Sequence, residues 1–123
     1  GENQAMIARQ ERWMLRMLNV REALALRGYA GGDGEVHLEV TDDLIEANHG
    51  RFVLTVSEGM GTVREGGSGA VRLDVGALAS LFSGYATAET LAAVGRCQAA
   101  DAADLAQASR LFRASEPWMV DHF

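Results

Sequence analysis

The sequence contains very little cysteine or proline, no lysine and few aromatic residues. Its single cysteine, Cys97, excludes an internal disulfide, and no other Cys or His stands near it at metal-ligand spacing, which excludes a zinc module. The 11 basic residues are all arginine and are outnumbered by 17 acidic residues, so the formal net charge is −6. This charge balance excludes nucleic acid as an expected partner, because phosphate backbones demand positive charge.

Long hydrophobic runs are absent as well. No stretch approaches the roughly 20 apolar residues of a membrane-spanning helix, and residues 1–10 lack the apolar core of a signal peptide. We therefore expect a cytoplasmic protein without a membrane partner. Gly1 stands where Met would begin a natural chain. We interpret residues 1–11 as a tag remnant and linker, followed by one domain at residues 12–123.

The sequence does contain enough apolar material for one core, since 48% of its 123 residues are hydrophobic. A chain of this length hides roughly two thirds of the surface that its unfolded form exposes. We therefore expect a single globular domain that needs no disulfide.

The order of apolar patterns predicts an α+β fold. A short, bulky apolar run at residues 13–18 is typical of a strand. Asn19 then predicts the start of a helix, with Glu22 as capping-box partner and Gly28 as its end. Alternating apolar and polar residues predict strands at 36–40, 51–57, 60–64 and 71–75. Apolar stripes at helical spacing predict helices within 77–84, 87–95 and 101–112. Together they predict one mostly antiparallel sheet covered by helices.

A glycine-rich segment separates two of these strands. Its sequence, Arg64-Glu65-Gly66-Gly67-Ser68-Gly69, resembles the pyrophosphate-binding loop of GNAT acetyltransferases. Such a loop works where its backbone amides meet phosphate at a helix N-terminus, whereas residues 70–76 have the pattern of a strand. We therefore interpret the segment as a hairpin loop and not as a cofactor site.

Other reactive residue types lack recognisable partners in the sequence. Cys97 has no signature that places a base beside it, so we expect a partly buried, unreactive thiol. His37 lies on the polar face of a predicted strand and His49 lies in a turn, and both are expected to be solvated. A cluster of carboxylates is also expected to form a solvated loop; it contains Asp42, Asp43 and Glu46.

The C-terminal segment carries bulky apolar residues close to its end. Trp118, Met119 and Val120 precede a terminal carboxylate on Phe123, and such residues can anchor a terminus that is otherwise frayed and solvated. A carboxylate held in a pocket can accept a proton or pair with a cationic amine. A solvated terminus is the alternative.

Several short motifs, in a fixed order and spacing, are similar to one known family. They are Trp13-Met14-Leu15-Arg16 followed by Ala23-Leu24; Asn48-x-Gly50-Arg51-Phe52; Leu73-Asp74-Val75 with Leu78, Leu81 and Gly84; Leu91 with Gly95; and Leu111-Phe112 ahead of Pro117, Asp121 and Phe123. From residue 13 to residue 123 the chain resembles the C-terminal domain of the enhanced intracellular survival (Eis) acetyltransferases, which has a sterol-carrier-protein-like fold. Two positions depart from the family pattern: Asn19 stands where Asp is frequent, and His122 where an acidic residue can occur.

The resemblance implies a specific role for this chain. It implies a fragment, inactive alone, of an enzyme whose upstream tandem GNAT domains bind acetyl-CoA, so that no cofactor is held here. It further implies that the carboxylate of Phe123 is the base for a primary amine of an aminoglycoside or a lysine side chain, with Asp121 and His122 beside this acceptor. A homo-oligomeric parent enzyme is also implied. The acidic balance suits cationic acceptors, whereas a charged imidazole at His122 would weaken their binding.

An alternative from another class of function is a free-standing lipid carrier. It is motivated by the sterol-carrier-like fold and by the apolar helix at residues 77–82, which could line a tunnel. An aliphatic ligand requires a large apolar cavity. The sequence has only eight aromatic residues among many Ala and Gly, and does not itself predict such a cavity.

Overall fold

The computed structural model describes residues 19–113. The predicted strand at residues 13–18 and the C-terminal segment with Trp118 and Phe123 lie outside this range. The elements within it are α1 (Val20–Leu26), β1 (Gly34–Thr41), a 3-10 turn (Glu46–Asn48), β2 (Gly50–Ser57), β3 (Met60–Glu65), β4 (Val71–Asp74), α2 (Val75–Phe82), α3 (Ala88–Ala93), β5 (Cys97–Ala99) and α4 (Ala102–Leu111). None of these helices has the length and apolar character that crossing a membrane requires.

The helices begin where short polar side chains satisfy the first backbone amides. Asn19 Oδ1 accepts a hydrogen bond of 3.0 Å from the Glu22 amide, and Thr87 and Asp101 cap α3 and α4 in the same way. The predicted helix starts are thus confirmed. Asp74 also acts as an N-cap, because its side chain accepts from the Ala77 amide. Val75, which the alternating pattern assigned to a strand, is therefore the first residue of α2.

The end of α1 differs from the prediction. The helix stops at Leu26, with Arg27 as its C-cap, and Gly28 instead forms an antiparallel bridge to Met60 at the start of β3. This bridge attaches the end of the helix to the edge of the sheet.

The sheet has the strand order β3-β2-β1-β4-β5. Strands β1, β2 and β3 form the antiparallel meander that the sequence predicts. The chain then crosses over the sheet, and β4 pairs with β1 in parallel. Strand β5 pairs with β4 in antiparallel register. It was missing from the sequence-based prediction, because three residues are too few to establish an alternating pattern.

One face of the sheet carries the core. Inward side chains of all five strands pack against all four helices, and the most completely buried large members are Phe52, Phe112, Leu24, Leu38, Leu54, Leu78, Leu81 and Leu111. The predicted α+β architecture, with one largely antiparallel sheet covered by helices, is confirmed. The apolar helix at residues 77–82, which the lipid-carrier alternative requires as the wall of a tunnel, belongs to this packed core. Ala77 and Leu78 are fully buried in it.

The glycine-rich segment lies across the opposite face of the sheet. It connects β3 to β4, which are not neighbours, so it is a crossover and the prediction of a hairpin loop was wrong. The Ser68 amide donates to His37 Nδ1 at 2.9 Å, and Val53 beneath the crossover is fully buried although it lies outside the main core. Gly67 has a φ of +92°, and a Cβ placed there would lie 2.5 Å from Val53 Cγ2. The crossover therefore needs glycine for both its conformation and its close approach.

Gly66 and Gly67 allow the cost of a side chain at positive φ to be measured separately from the cost of a close contact. Gly66 has a φ of +107° with nothing within 4 Å of an added Cβ, whereas Gly67 combines positive φ with the contact to Val53. We expect Gly66→Ala to lower the free energy of unfolding by about 1–2 kcal/mol, the cost of a side chain in this region. Gly67→Ala should cost about 1–3 kcal/mol more because of overpacking. Urea unfolding measures both variants, and equal losses would show that the close contact is relieved without cost.

Candidate functional site

All three predicted site residues, Asp121, His122 and Phe123, lie outside the described range. The last described residue is Arg113, directly after α4. The structure therefore describes the part of the domain from which the predicted site extends.

Arg27 holds the end of α4 in place. Its guanidinium donates to the backbone oxygens of Phe82 and Phe112 at 3.0 Å each, and to that of Gly28 at 3.1 Å. Phe82 is the last residue of α2 and Phe112 is the C-cap of α4. Carbonyls at helix C-termini carry partial negative charge and lack partners within their own helix. One cation thus joins the ends of three helices.

Three aromatic rings surround the same guanidinium. Its Cζ lies 5.0 Å from the ring centre of Tyr29, 5.4 Å from that of Phe82 and 5.5 Å from that of Phe112. The rings of Tyr29 and Phe112 meet edge to face at 6.1 Å. Burial lowers the pKa of Arg27 and raises the pKa of Tyr29; these shifts leave the arginine charged and the phenol neutral at pH 7. We name Arg27 and these three rings the arginine cluster.

A groove opens beside the arginine cluster. Its volume is about 610 Å³, and its lining residues are Leu81, Gly84, Ala86, Thr87, Glu89, Ser109, Phe112 and Arg113. Leu81 and Phe112 are each 1% exposed and give the groove an apolar floor. On the rim, Ser109 Oγ accepts from the Ala88 amide at 2.9 Å and donates to Glu89. The groove runs between the end of α4 and the turn from α2 to α3, so it starts where the described chain ends.

The sequence did not identify the arginine cluster or the groove. Arg27 reaches partners 55 and 85 residues further along the chain, and no local motif encodes such contacts. The only local indication is an arginine at the end of a predicted helix, where positive charge is favourable.

The resemblance of residues 64–69 to a pyrophosphate loop does not extend to their surroundings. The segment leads into β4 instead of a helix. The Gly66 amide donates to the Arg51 carbonyl at 2.9 Å, and the Ser68 amide is bound by His37. Two amides that would face a phosphate are thus already engaged, and this segment does not fit a nucleotide cofactor.

The remaining candidate residues have structural contacts. Cys97 is 2% exposed, so it is more deeply buried than predicted, and this burial raises the pKa of its thiol; its lack of reactivity stays a prediction. His37 is less solvated than predicted, because Nδ1 accepts from Ser68 and Nε2 lies 2.9 Å from Glu35. His49 is exposed and accepts weakly from the Asp42 amide at 3.3 Å. Within residues 19–113, no group of His, Cys, Asp and Glu side chains is arranged to hold a metal ion.

The acidic loop was predicted to be solvated, and for Asp42 this was wrong. Asp42 is only 8% exposed, and its carboxylate accepts from the amides of Leu44 and Ile45 and from Asn48 Nδ2. Asn48 in turn accepts from the Val20 amide, which ties the loop to the start of α1. Burial by itself would raise the pKa of Asp42, but the three hydrogen bonds outweigh it and the pKa lies below its ordinary value.

The lowered pKa of Asp42 gives a pH-dependent contribution to stability. The contribution is complete above the pKa that Asp42 has in the unfolded chain, about 4. It is lost as the pH falls through the lower pKa that Asp42 has in the folded chain. Asp42→Asn should therefore be less stable than the parent at pH 7, with a gap that narrows below about pH 4. Asp43→Asn, at the exposed neighbouring position, is the control. A gap for Asp42→Asn that stays constant down to pH 3 would contradict this assignment.

The arginine cluster predicts a second effect on stability. Arg27→Met preserves the length of the side chain but leaves the Phe82 and Phe112 carbonyls without this donor, and we expect a loss of about 2–4 kcal/mol in the free energy of unfolding. The free energy of unfolding of Arg27→Lys should lie between those of the parent and of Arg27→Met. An ammonium keeps the positive charge but cannot match the fixed fork of a guanidinium. The matched control on the same helix is Arg21→Met, which breaks only an exposed ion pair with Glu65 and should cost less than about 1 kcal/mol. Urea unfolding that finds equal losses for Arg27→Met and Arg21→Met would refute the role of the cluster.

The chain is similar in sequence to known N-acetyltransferases. Over 112 residues it is 35% identical to the N-acetyltransferase Eis of Mycobacterium tuberculosis, a match that covers 89% of this chain and 26% of the relative. It is 38% identical over 117 residues to an uncharacterised N-acetyltransferase of Streptomyces avermitilis, covering 90% of this chain and 27% of the relative. The chain thus spans about a quarter of the length of these proteins.

Solved structures give the same relationship. A GCN5-related N-acetyltransferase from Anabaena variabilis superposes with a TM-score of 0.75 at 41% identity, over 79% of this chain and 25% of the other. Eis1 from Mycobacterium abscessus superposes with a TM-score of 0.68 at 32% identity, over 79% and 24%. The family model described as "Sterol carrier protein domain" matches residues 20–120. The chain therefore belongs to the sterol carrier protein domain family and matches the C-terminal part of Eis-type N-acetyltransferases.

Proposed function

We propose that this chain is the acceptor-side, C-terminal domain of an acetyl-CoA-dependent N-acetyltransferase. The observation that carries the proposal is its match, at 35–38% identity, to one quarter of proteins that are named N-acetyltransferases. On this proposal, the parent protein carries its GNAT domains upstream of this chain. On this proposal the domain is inactive alone, and its parent is a cytoplasmic homo-oligomer.

The upstream domains, and not this one, bind acetyl-CoA on this proposal. The pyrophosphate of such a cofactor needs converging amides at a helix N-terminus, and the segment that resembles such a loop here, residues 64–69, has two of its amides engaged and leads into a strand. The cofactor supplies an activated acetyl group. The contribution of this chain is to the amine that receives it.

The carboxylate of Phe123 is the proposed base. The acceptor ammonium must lose a proton before its nitrogen has a lone pair that can attack an acetyl group, and a carboxylate within hydrogen-bond reach can take that proton. On this proposal Asp121 pairs with the ammonium form of the acceptor before this step, and His122 adjusts the charge beside it. The net charge of −6 favours cationic acceptors such as aminoglycosides or lysine side chains.

The lipid-carrier alternative is supported by the match to the sterol carrier protein domain family model, but not by the packing of the described residues. It depended on the helix at residues 77–82 lining a tunnel, and that helix packs into the core. The groove beside α4 is open and has a polar rim with Glu89 and Arg113, which does not suit an aliphatic chain.

Moving the terminal carboxylate tests the proposed base. In the complete parent enzyme, deletion of Phe123 or addition of two glycines after it should lower kcat by about 10²–10⁴-fold, the range of general-base catalysis, while the affinity for acetyl-CoA stays unchanged. Phe123→Leu keeps a carboxylate at the same position and is the matched control, with most of the turnover retained. Full turnover in the deletion variant would eliminate the terminal carboxylate as base.

A further inference from the structure

His37 links the crossover at residues 66–69 to the sheet beneath it. Its Nδ1 accepts from the Ser68 amide at 2.9 Å, and its Nε2 lies 2.9 Å from Glu35 Oε2. A backbone amide can only donate, so Nδ1 is the ring nitrogen without a proton. The single ring proton of the neutral imidazole is then on Nε2, which donates it to Glu35. The two contacts therefore select one tautomer of neutral His37.

A second proton on this ring affects its two contacts in opposite ways. Imidazoles change charge between about pH 5 and pH 8, and the nitrogen left to take the proton here is Nδ1. The new Nδ1–H then points at the Ser68 N–H, so that two donors face each other and their hydrogen bond is lost. The contact of Nε2 with Glu35 becomes a charge-assisted hydrogen bond, which is stronger. Protonation thus keeps the ring on β1 but ends its hold on Ser68.

Glu35 places a negative charge beside the ring. The hydrogen bond from His37 is the main reason that the pKa of Glu35 lies below its ordinary value. Thr55 Oγ1 donates at 3.3 Å to the other oxygen of Glu35, Oε1, and Arg64 lies 3.9 Å from it. Neither group occupies Oε2, the oxygen that faces the ring. The charged side chains next along this face of β1, β2 and β4 are paired with one another; they are Glu39, Arg51 and Arg72.

The crossover depends on outside contacts, because its own sequence gives it little rigidity. Three of the four residues 66–69 are glycines, and glycine loses more conformational freedom on folding than any other residue. The Gly66 amide donates to the Arg51 carbonyl, a contact that does not titrate. The Ser68 amide is held by His37. Loss of this second contact therefore frees the middle of the crossover, where Gly67 lies against Val53.

We propose that His37 is a pH-sensitive switch, which holds the crossover on the sheet while the ring is neutral and releases it when the ring is charged. The flanking strands stay paired in the released state, since β3 is bonded to β2 and β4 to β1. Release exposes Val53, which is fully buried under the crossover on a polar face of the sheet. The proposal rests on the two contacts of one ring and on the glycines above it, and it does not depend on the proposed acetyltransferase role.

Nuclear magnetic resonance of the nitrogen-15-labelled 123-residue chain tests the switch at the two ends of the imidazole range, about pH 8 and about pH 5. At the higher pH we expect a coupling across the hydrogen bond between the Ser68 nitrogen and His37 Nδ1, and ring shifts of an imidazole protonated only at Nε2. At the lower pH the ring shifts should be those of a charged imidazole and the coupling should be lost. The proton–nitrogen NOE of Gly67 and Ser68 should then fall, while that of residues 36–40 stays constant. A ring that is neutral at the lower pH, or a charged ring with an unchanged NOE at Gly67 and Ser68, would overturn the proposal.

Two substitutions separate the titration of His37 from its other contacts. His37→Asn keeps an acceptor, because its Oδ1 is bonded to Cγ as Nδ1 is, and it does not titrate, so the NOE of the crossover should stay high at both pH values. His37→Phe keeps a ring without an acceptor, and the NOE should be low at both. His49→Asn, at an exposed histidine outside the crossover, is the matched control and should keep the full response of the parent. A pH response that persists in His37→Asn would refute the switch, and this variant and the parent decide the question even if His37→Phe does not fold.

Discussion

The burial of one guanidinium between three helix ends is the interaction on which the arrangement of this domain depends. A partly buried cation is costly unless its donors are satisfied. Arg27 meets this requirement through three backbone carbonyls and three aromatic rings. Those carbonyls lie at or next to helix ends, where carbonyls lack partners within their own helix. The guanidinium therefore links the end of α4 to the end of α2.

Much of the fold could be predicted from the sequence because its signals are local. N-caps at Asn19, Thr87 and Asp101 and the alternation at residues 36–40 and 51–57 depend on neighbouring residues, and the structure confirms them. Two of the errors involve distant partners. Strand β5 is defined by β4, which lies more than 20 residues before it. The segment at residues 64–69 resembled a hairpin loop because sequence does not state which strands are neighbours, whereas the close contact of Gly67 with Val53 is possible only in a crossover.

The candidate site was less predictable for the same reason. The terminal carboxylate of Phe123 could be proposed as a base because anchoring residues and a family resemblance lie in the sequence itself, and it stays a prediction. Arg27 was not identified, because its importance comes from Phe82 and Phe112, which the fold brings together. Asp42 was predicted to be solvated and is buried. A carboxylate in a loop is usually solvated, but here Asn48 and two backbone amides compensate for its burial. The motif Asn48-x-Gly50-Arg51-Phe52, whose first residue binds Asp42, therefore has a structural explanation in this domain. Asn48 joins the loop to α1, Arg51 pairs with Glu39, and Phe52 lies in the core.

The proposed base depends on how the segment after Arg113 is positioned. A base must lie within hydrogen-bond reach of the proton that it accepts. A carboxylate at the end of the ten residues that follow Arg113 would lose conformational freedom on reaching such a position, at about 1–2 kcal/mol for each backbone residue that becomes ordered. The arginine cluster holds the end of α4, from which this segment continues. On the proposed function, Arg27 would therefore contribute to catalysis without reaching the acceptor, because it defines the point from which the terminal carboxylate is positioned.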